Sequence, residues 1–202
     1  MRITGKNGKI LSESSRTTVT TAQVLTDSGD HKTYNFPAGH QFLDPTQPPT
    51  ITVNDANPTV AFTVDFIMGS VTFASALQVA DVVKANNYTY STLVEIGSMY
   101  NWAVDTKIDI VDVTAFQDVW HQKLSTFKGW TGSAEGYYVS AFWFNLFTPA
   151  KNVYVALYPE ASSTERWVGA AFVDWGIKVA KDAAVTQTIR FEGNHELRRL
   201  TA

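Results

Sequence analysis

The chain is 202 residues long, with 45% hydrophobic and 17% charged side chains, so it can fill a core while carrying fewer charges than the roughly 25% of an average soluble domain. A formal charge of -3 without any basic run gives no footing for tight binding to nucleic-acid phosphates, and the lack of cysteine removes disulfides and thiolate zinc sites and fits an intracellular protein. Met1 to Gly8 lacks the apolar stretch of a secretory signal, and the most apolar window, Ala141 to Tyr158, is broken by Asn145, Pro149, Lys151 and Asn152, which argues against a membrane span.

The first 58 residues are polar and weakly periodic. Ser14 to Leu25 is β-prone but thinly hydrophobic, which suits an arm or an edge strand. Phe36 to Pro49 holds four of the seven prolines; each lacks a ladder donor, so the segment reads as a long loop. From Val60 the pattern turns to period two. Val60, Phe62, Val64 and Phe66 share a face, and Val71 and Phe73 beyond Gly69 supply a hairpin partner.

The clearest strand is Tyr100 to Ile110. Tyr100, Trp102, Val104, Thr106, Ile108 and Ile110 lie on one face, with Asn101, Ala103, Asp105, Lys107 and Asp109 on the other. A helix is expected over Ala115–Leu124, because Thr114 and Gln117 have capping-box spacing and Phe116, Val119, Trp120, Lys123 and Leu124 recur at helical intervals. Asn152 to Tyr158 reads as a strand buried on both faces, and Trp167–Val179 and Val185–Phe191 as two more strands. The expected architecture is mainly β: a sandwich or barrel with one flanking helix and long loop and arm insertions. It forms a single domain over 1–202, with an arm-and-loop region at 1–58 and a β core at 59–202. The expected core is Phe62, Val64, Phe66, Trp102, Val104, Ile108, Val153, Val155, Leu157, Val173 and Ile177.

No constellation points to catalysis, to a metal or to a cofactor. His31, His40, His121 and His195 have no metal-ligand spacing and read as surface residues, and neither a nucleophile elbow nor a Walker loop occurs. Asp105, Asp109 and Asp112 could suggest a hydrolytic pair, but Lys107 stands between Asp105 and Asp109 on the same face, as on an ordinary solvated strand. The six tryptophans could suggest a sugar platform. Trp102, Trp120, Trp167 and Trp175 fall on apolar faces, which favours packing, while Trp130 and Trp143 are undetermined.

From about Val60 onward the chain resembles the tail tube (major tail) proteins of long-tailed bacteriophages. The resemblance rests on Phe66 to Phe73 as a central hairpin, Ile108 to Asp118 as a "D-V-T-x-F-x-D" strand-to-helix junction, and Lys128 to Tyr137 as the strand after the helix. It rests also on Val153 to Pro159 and on the closing Phe191 to Leu197, where His195 replaces the second glycine of an "F-x-G-x-G-x-L" pattern.

The resemblance implies a tail-tube fold, hexameric rings stacked into a tube, and no catalytic residues. Partners would be other copies of the chain, the tape measure protein, the tail terminator and the distal-tail or baseplate proteins. DNA would pass through without specific binding, and no membrane would be involved. The location would be the virion tail, or the host cytoplasm during assembly. Related alternatives are a tail terminator, a distal-tail ring or the tube of a phage-derived injection device; a β-sandwich carbohydrate-binding module is an alternative of another class.

Ring stacking needs a surface that does not close on itself, and the arm and the loop are the candidates. The expected inter-ring residues are Val19, Val24, Phe36, His40, Phe42, Leu43 and Asp44. The polar strand face of Asn101, Asp105, Lys107 and Asp109 either lines the lumen or covers the outer wall. Six copies at -3 would give a ring charge on the order of -18, which repels DNA and eases its sliding.

Overall fold

The computed structural model describes all residues except 1, 7, 97–98, 115–119, 121–122, 139–141, 148–151, 180, 182–183 and 202, and all side chains except also those of 2–6, 126–127 and 146–147. The chain is mainly β. In order, its elements are β1 (Arg2–Lys6), β2 (Lys9–Val19), β3 (Gln23–Val24), β4 (Thr26–Asp27), β5 (Thr33–Asn35), β6 (Thr50–Val53), β7 (Phe62–Asp65), β8 (Ser70–Phe73), β9 (Val83–Asn86), β10 (Tyr88–Glu95), β11 (Met99–Asp112), β12 (Lys123–Tyr137), α1 (Phe142–Phe147), β13 (Val153–Tyr158), β14 (Arg166–Lys178) and β15 (Thr186–Leu200). They form an eight-stranded sheet ordered β1-β11-β12-β15-β14-β13-β2-β10, a three-stranded sheet β3-β9-β6 and a four-stranded sheet β4-β5-β8-β7.

Two compact units divide the chain: Met1–Ser12 with Glu95–Ala202, and Glu13–Val94. Residues 13–58 therefore fold together with 59–94. The chain enters the second unit along β2 and leaves it along β10, which are neighbours in the large sheet.

In the first unit the long antiparallel strands bury one face. Trp102 and Val104 of β11, Trp130 and Ala134 of β12, Ile189 and Phe191 of β15, Ala171 and Val173 of β14, and Val153, Val155 and Leu157 of β13 form one cluster with Ile10 and Trp143. β13 is buried on both faces, as its unbroken apolar run predicts. The Trp102 indole N–H donates to the Tyr158 carbonyl at 2.9 Å, so the most buried aromatic of β11 has its one donor satisfied. Tail residues Gly193 to Leu200 continue β15 along β14, with a bulge opposite Ala170.

The second unit has its own core of Leu25, Tyr34, Phe36, Leu43, Ile51, Val71, Phe73, Val83, Ala85 and Tyr88. The expected Phe66–Phe73 hairpin is present as β7 and β8, paired Phe62↔Phe73 to Asp65↔Ser70. Its turn is held by the Asp65 carboxylate, which accepts the amides of Ile67 and Met68 at 3.0 Å each. It closes at Gly69, whose φ of +65° and whose position against the His40 carbonyl both exclude a side chain. Of Ser14–Leu25, expected as an arm or edge strand, Ser14–Val19 belongs to β2, which lies between β13 and β10 in the large sheet, and only Gln23–Val24 is an edge strand; Phe36–Pro49 is irregular apart from a bridge between Leu43 and Tyr90.

Several expectations are corrected. Most of the predicted helix lies outside the described residues, but Trp120 sits in a bend at 83% exposure, and Lys123 and Leu124 pair with Asp112 and Val111 as the start of β12. Helical spacing over so short a stretch loses to cross-strand pairing in a long hairpin. The described helix is α1, which places the fully buried Trp143 against Phe191. Ile108 is 50% exposed and Ile177 40%, because β11 and β14 run on past the covered part of the sheet. Phe62 is 37% exposed at the rim of its hairpin, and Val64 and Phe66 are only partly buried against the second core. The remaining expected core residues, Trp102, Val104, Val153, Val155, Leu157 and Val173, are buried. No helix among the described residues is long and apolar enough to cross a membrane, which says nothing of spanning by strands.

Candidate functional site

The side of β11 opposite its core residues belongs to a broad solvent-facing surface. Antiparallel register sets the rows: Asp105–Thr131–Glu192–Phe172, then Ala103–Ser133–Arg190–Asp174, then Asn101–Glu135–Thr188–Gly176, across β11, β12, β15 and β14. Asn101, Asp105, Lys107 and Asp109 are all exposed on it, as the alternation of β11 predicts. Lys107 pairs with Asp109 at 2.9 Å, and Arg190 lies directly across from Asp174. Asp105 and Asp109 stand four residues apart on one strand, about 13 Å by the strand rise, which is too far for a pair of carboxylates flanking one bond. Carboxylates and cations are interspersed on this sheet: Asp105, Glu135, Asp174 and Glu192 share the rows with Arg190, and the register of β1 sets Arg2 opposite Asp105 and Lys6 opposite Asn101.

Beyond the rows, β11 and β12 continue together as an arm with exposed apolar side chains among charged ones. Ile108 and Ile110 are exposed on one of its faces, while Val111 and its cross-strand partner Leu124 are exposed on the other, followed by Val113. A two-stranded ribbon that shows apolar side chains on both faces buries neither within its own unit. The period-two reading missed it by assigning Ile108 to the core. The available signal was the break in alternation, where Ile110 and Val111 are apolar in succession.

The expected inter-ring residues fall into two groups. Phe36, Leu43 and Asp44 are buried within the second unit, with Leu43 fully so, and cannot serve as a surface. The loop is tied down through its backbone: the Leu43 amide donates to the Phe66 carbonyl at 2.7 Å and the Asp44 amide to that of Thr89 at 2.8 Å. Asp44 also accepts Arg16 at 2.7 Å, and Arg16 in turn holds Glu13 at 2.5 Å. A proline-rich loop looks dispensable in sequence, but its backbone groups need partners, and here they find them in the core. Val24 is exposed at 59%, while Val19, His40 and Phe42 are half-buried.

The histidines are not a cluster. His31 pairs with Asp27 at 2.5 Å in the β4–β5 turn, and His195 is exposed, with its carbonyl accepting the Trp130 indole at 2.9 Å. His40, expected at the surface, is half-buried with its Nδ1 2.7 Å from the Tyr88 hydroxyl; His121 lies outside the described residues. In the same turn as His31, the amides of Thr33 and Lys32 hold the Asp30 carboxyl well below the usual carboxylate range. Among the described residues no three His, Asp or Glu side chains gather as a metal site.

Of the tryptophans, Trp102, Trp130 and Trp143 are buried, Trp167 and Trp175 are packed against the core, and Trp120 stands exposed. That corrects Trp120, which had been expected on a packed face, and settles Trp130 and Trp143 as core. A flat sugar platform would need several such rings exposed together. No family model and no curated protein matches this chain.

Proposed function

We propose that the chain is a structural subunit that assembles with copies of itself into stacked rings, forming a tail tube through which DNA passes. The observation that carries this reading is the β11–β12 arm, which exposes Ile108 and Ile110 on one face and Val111 and Leu124 on the other. An arm of this kind is stabilised by insertion against another molecule, and a contact between unlike surfaces repeats indefinitely. The formal charge of -3 and the lack of a basic run support it, since a conduit for DNA must not hold phosphates. The sequence resemblance from Val60 onward supports it independently.

Negative-stain electron microscopy of the purified protein across a concentration series tests the reading. Hollow filaments of regular ring spacing are expected. Single closed rings would favour a terminator or a distal-tail ring, and a protein that stays monomeric at every concentration would end the proposal.

A further inference from the structure

We infer that the contact between His40 and Tyr88 is an acid-released latch that holds the Pro37–Phe42 part of the long loop onto the second unit. Tyr88 is fully buried, at 0% exposure, and lies edge-on to Phe36 with ring centroids 4.8 Å apart. Its hydroxyl sits 2.7 Å from His40 Nδ1, the one partner among the described hydrogen bonds. The His40 ring is stacked on Tyr90, 4.1 Å between centroids and 14° from parallel. The backbone around it is just as constrained: the His40 amide donates to the Pro37 carbonyl at 2.9 Å, and the His40 carbonyl lies against Gly69.

Proton bookkeeping turns this geometry into a switch. Burial first, and then the neighbouring Tyr90, push the Tyr88 phenol up to about 12, so its hydroxyl keeps its proton at any physiological pH and is the donor. Neutral His40 accepts at Nδ1 and carries its own proton on Nε2. A second proton on His40 would occupy Nδ1. Nδ1–H could then donate to the Tyr88 oxygen only if the O–H turned away, which would leave that buried proton without its acceptor.

Among the described residues no charged group compensates. The groups facing the ring are Tyr88 and Tyr90 of β10. The carboxylates carried by the elements packed around it are already engaged, Asp65 by the amides of Ile67 and Met68, and Asp44 by Arg16 and Thr46. Burial alone lowers the His40 value from the ordinary 6.5.

The sign follows. With the loop released, His40 titrates at its ordinary value; with the loop docked it titrates lower, so the released state takes up the proton first. The latch has full strength above about pH 6.5, weakens as pH falls from there toward the docked value, and loses nothing further below it. Each unit of depression corresponds to a tenfold shift in the docking equilibrium.

Hydrogen–deuterium exchange of the full chain, corrected for the intrinsic pH dependence of exchange, tests this on the peptide covering residues 36–43, with the β13 peptide as control. Protection of the loop peptide is expected to fall severalfold between pH 7.5 and pH 5 while that of β13 holds. His40→Gln, which offers Tyr88 a neutral acceptor, is expected to keep its protection at pH 5. A wild-type loop with pH-independent protection overturns the inference, and so does a His40→Gln loop that loses protection as the wild type does. Independently of any variant, an NMR titration placing His40 at or above 6.5 in the folded protein overturns it as well.

Discussion

Trp130 and Gly193 form one packing unit: the indole lies where a side chain on residue 193 would have to be, and its N–H reaches the carbonyl of His195 at 2.9 Å. Gly169 of β14 is closed off by the same ring, with its missing Cβ position 2.6 Å from the indole. A buried tryptophan thus fixes two glycines on two neighbouring strands and satisfies its own donor at the bulge of β15. The first glycine of the closing motif therefore makes room for Trp130, while His195 in place of the second contributes its backbone and leaves its side chain in solvent.

Gly193→Ala should accordingly cost about 1–3 kcal/mol through overpacking, measured by urea unfolding. His195→Gly should stay within about 0.5 kcal/mol of wild type, apart from added chain entropy. In a double-mutant cycle, Trp130→Leu should absorb most of the Gly193→Ala penalty. Additive losses would show that the ring and the glycine are not coupled.

Ile108→Ala should change the protomer's stability by no more than about 0.5 kcal/mol, because half of the side chain is already in water. Leu157→Ala, at 0% exposure, should cost about 2–5 kcal/mol. The two should exchange rank in assembly: Ile108→Asp with Ile110→Asp should leave a folded protomer that forms no filaments. Normal filaments from that double variant would remove the arm from the assembly interface.

The Glu13–Arg16–Asp44 group makes the loop part of the fold of the second unit. Glu13 and Asp44 are both nearly buried, and Ser91 adds a hydrogen bond to Glu13 at 2.9 Å. Arg16→Met would leave two carboxylates facing each other without their shared cation. Breaking a buried pair costs about 3–5 kcal/mol, and access of water to Arg16 brings the expectation down toward about 2 kcal/mol. Deleting residues 39–47 removes Leu43 and Asp44 together and should unfold 13–94, read as loss of protease resistance in that unit. A deletion variant with an intact second unit would show that the loop only decorates it.

The β character, the hairpin at Phe62–Phe73 and strands β11, β13, β14 and β15 were legible because each has one apolar and one polar face, or is apolar throughout. The polar face of β11 was legible for the same reason. The core of the second unit was not, since it is assembled from isolated residues such as Leu25, Tyr34 and Leu43, whose neighbours in sequence are polar. Periodicity carries no information where a strand lasts two or three residues. Nor could alternation reveal where a sheet stops covering a strand: Ile108 and Val104 share a face of β11, yet one lies under the sheet and the other past it.

Asp105 and Asp109 decide which wall of the proposed tube the polar face of β11 forms. Both are exposed, share one strand face with Lys107, and lie in a shallow depression with Thr131 and Glu192. On the lumen, six copies would repeat both carboxylates around the bore, where they repel the phosphates of passing DNA. On the outer wall the same charges would serve only solubility. Asp105→Lys with Asp109→Lys exchanges two carboxylates for two ammonium groups at exposed positions, so assembly should persist. If the face lines the bore, linear DNA should be retained by variant tubes at low salt, be released as salt rises, and resist nuclease while bound, because cations on the wall attract phosphates and the tube shields them. Binding that nuclease abolishes would place the face outside. Variant tubes that bind no more DNA than wild type at low salt would remove both carboxylates from any surface that DNA can reach.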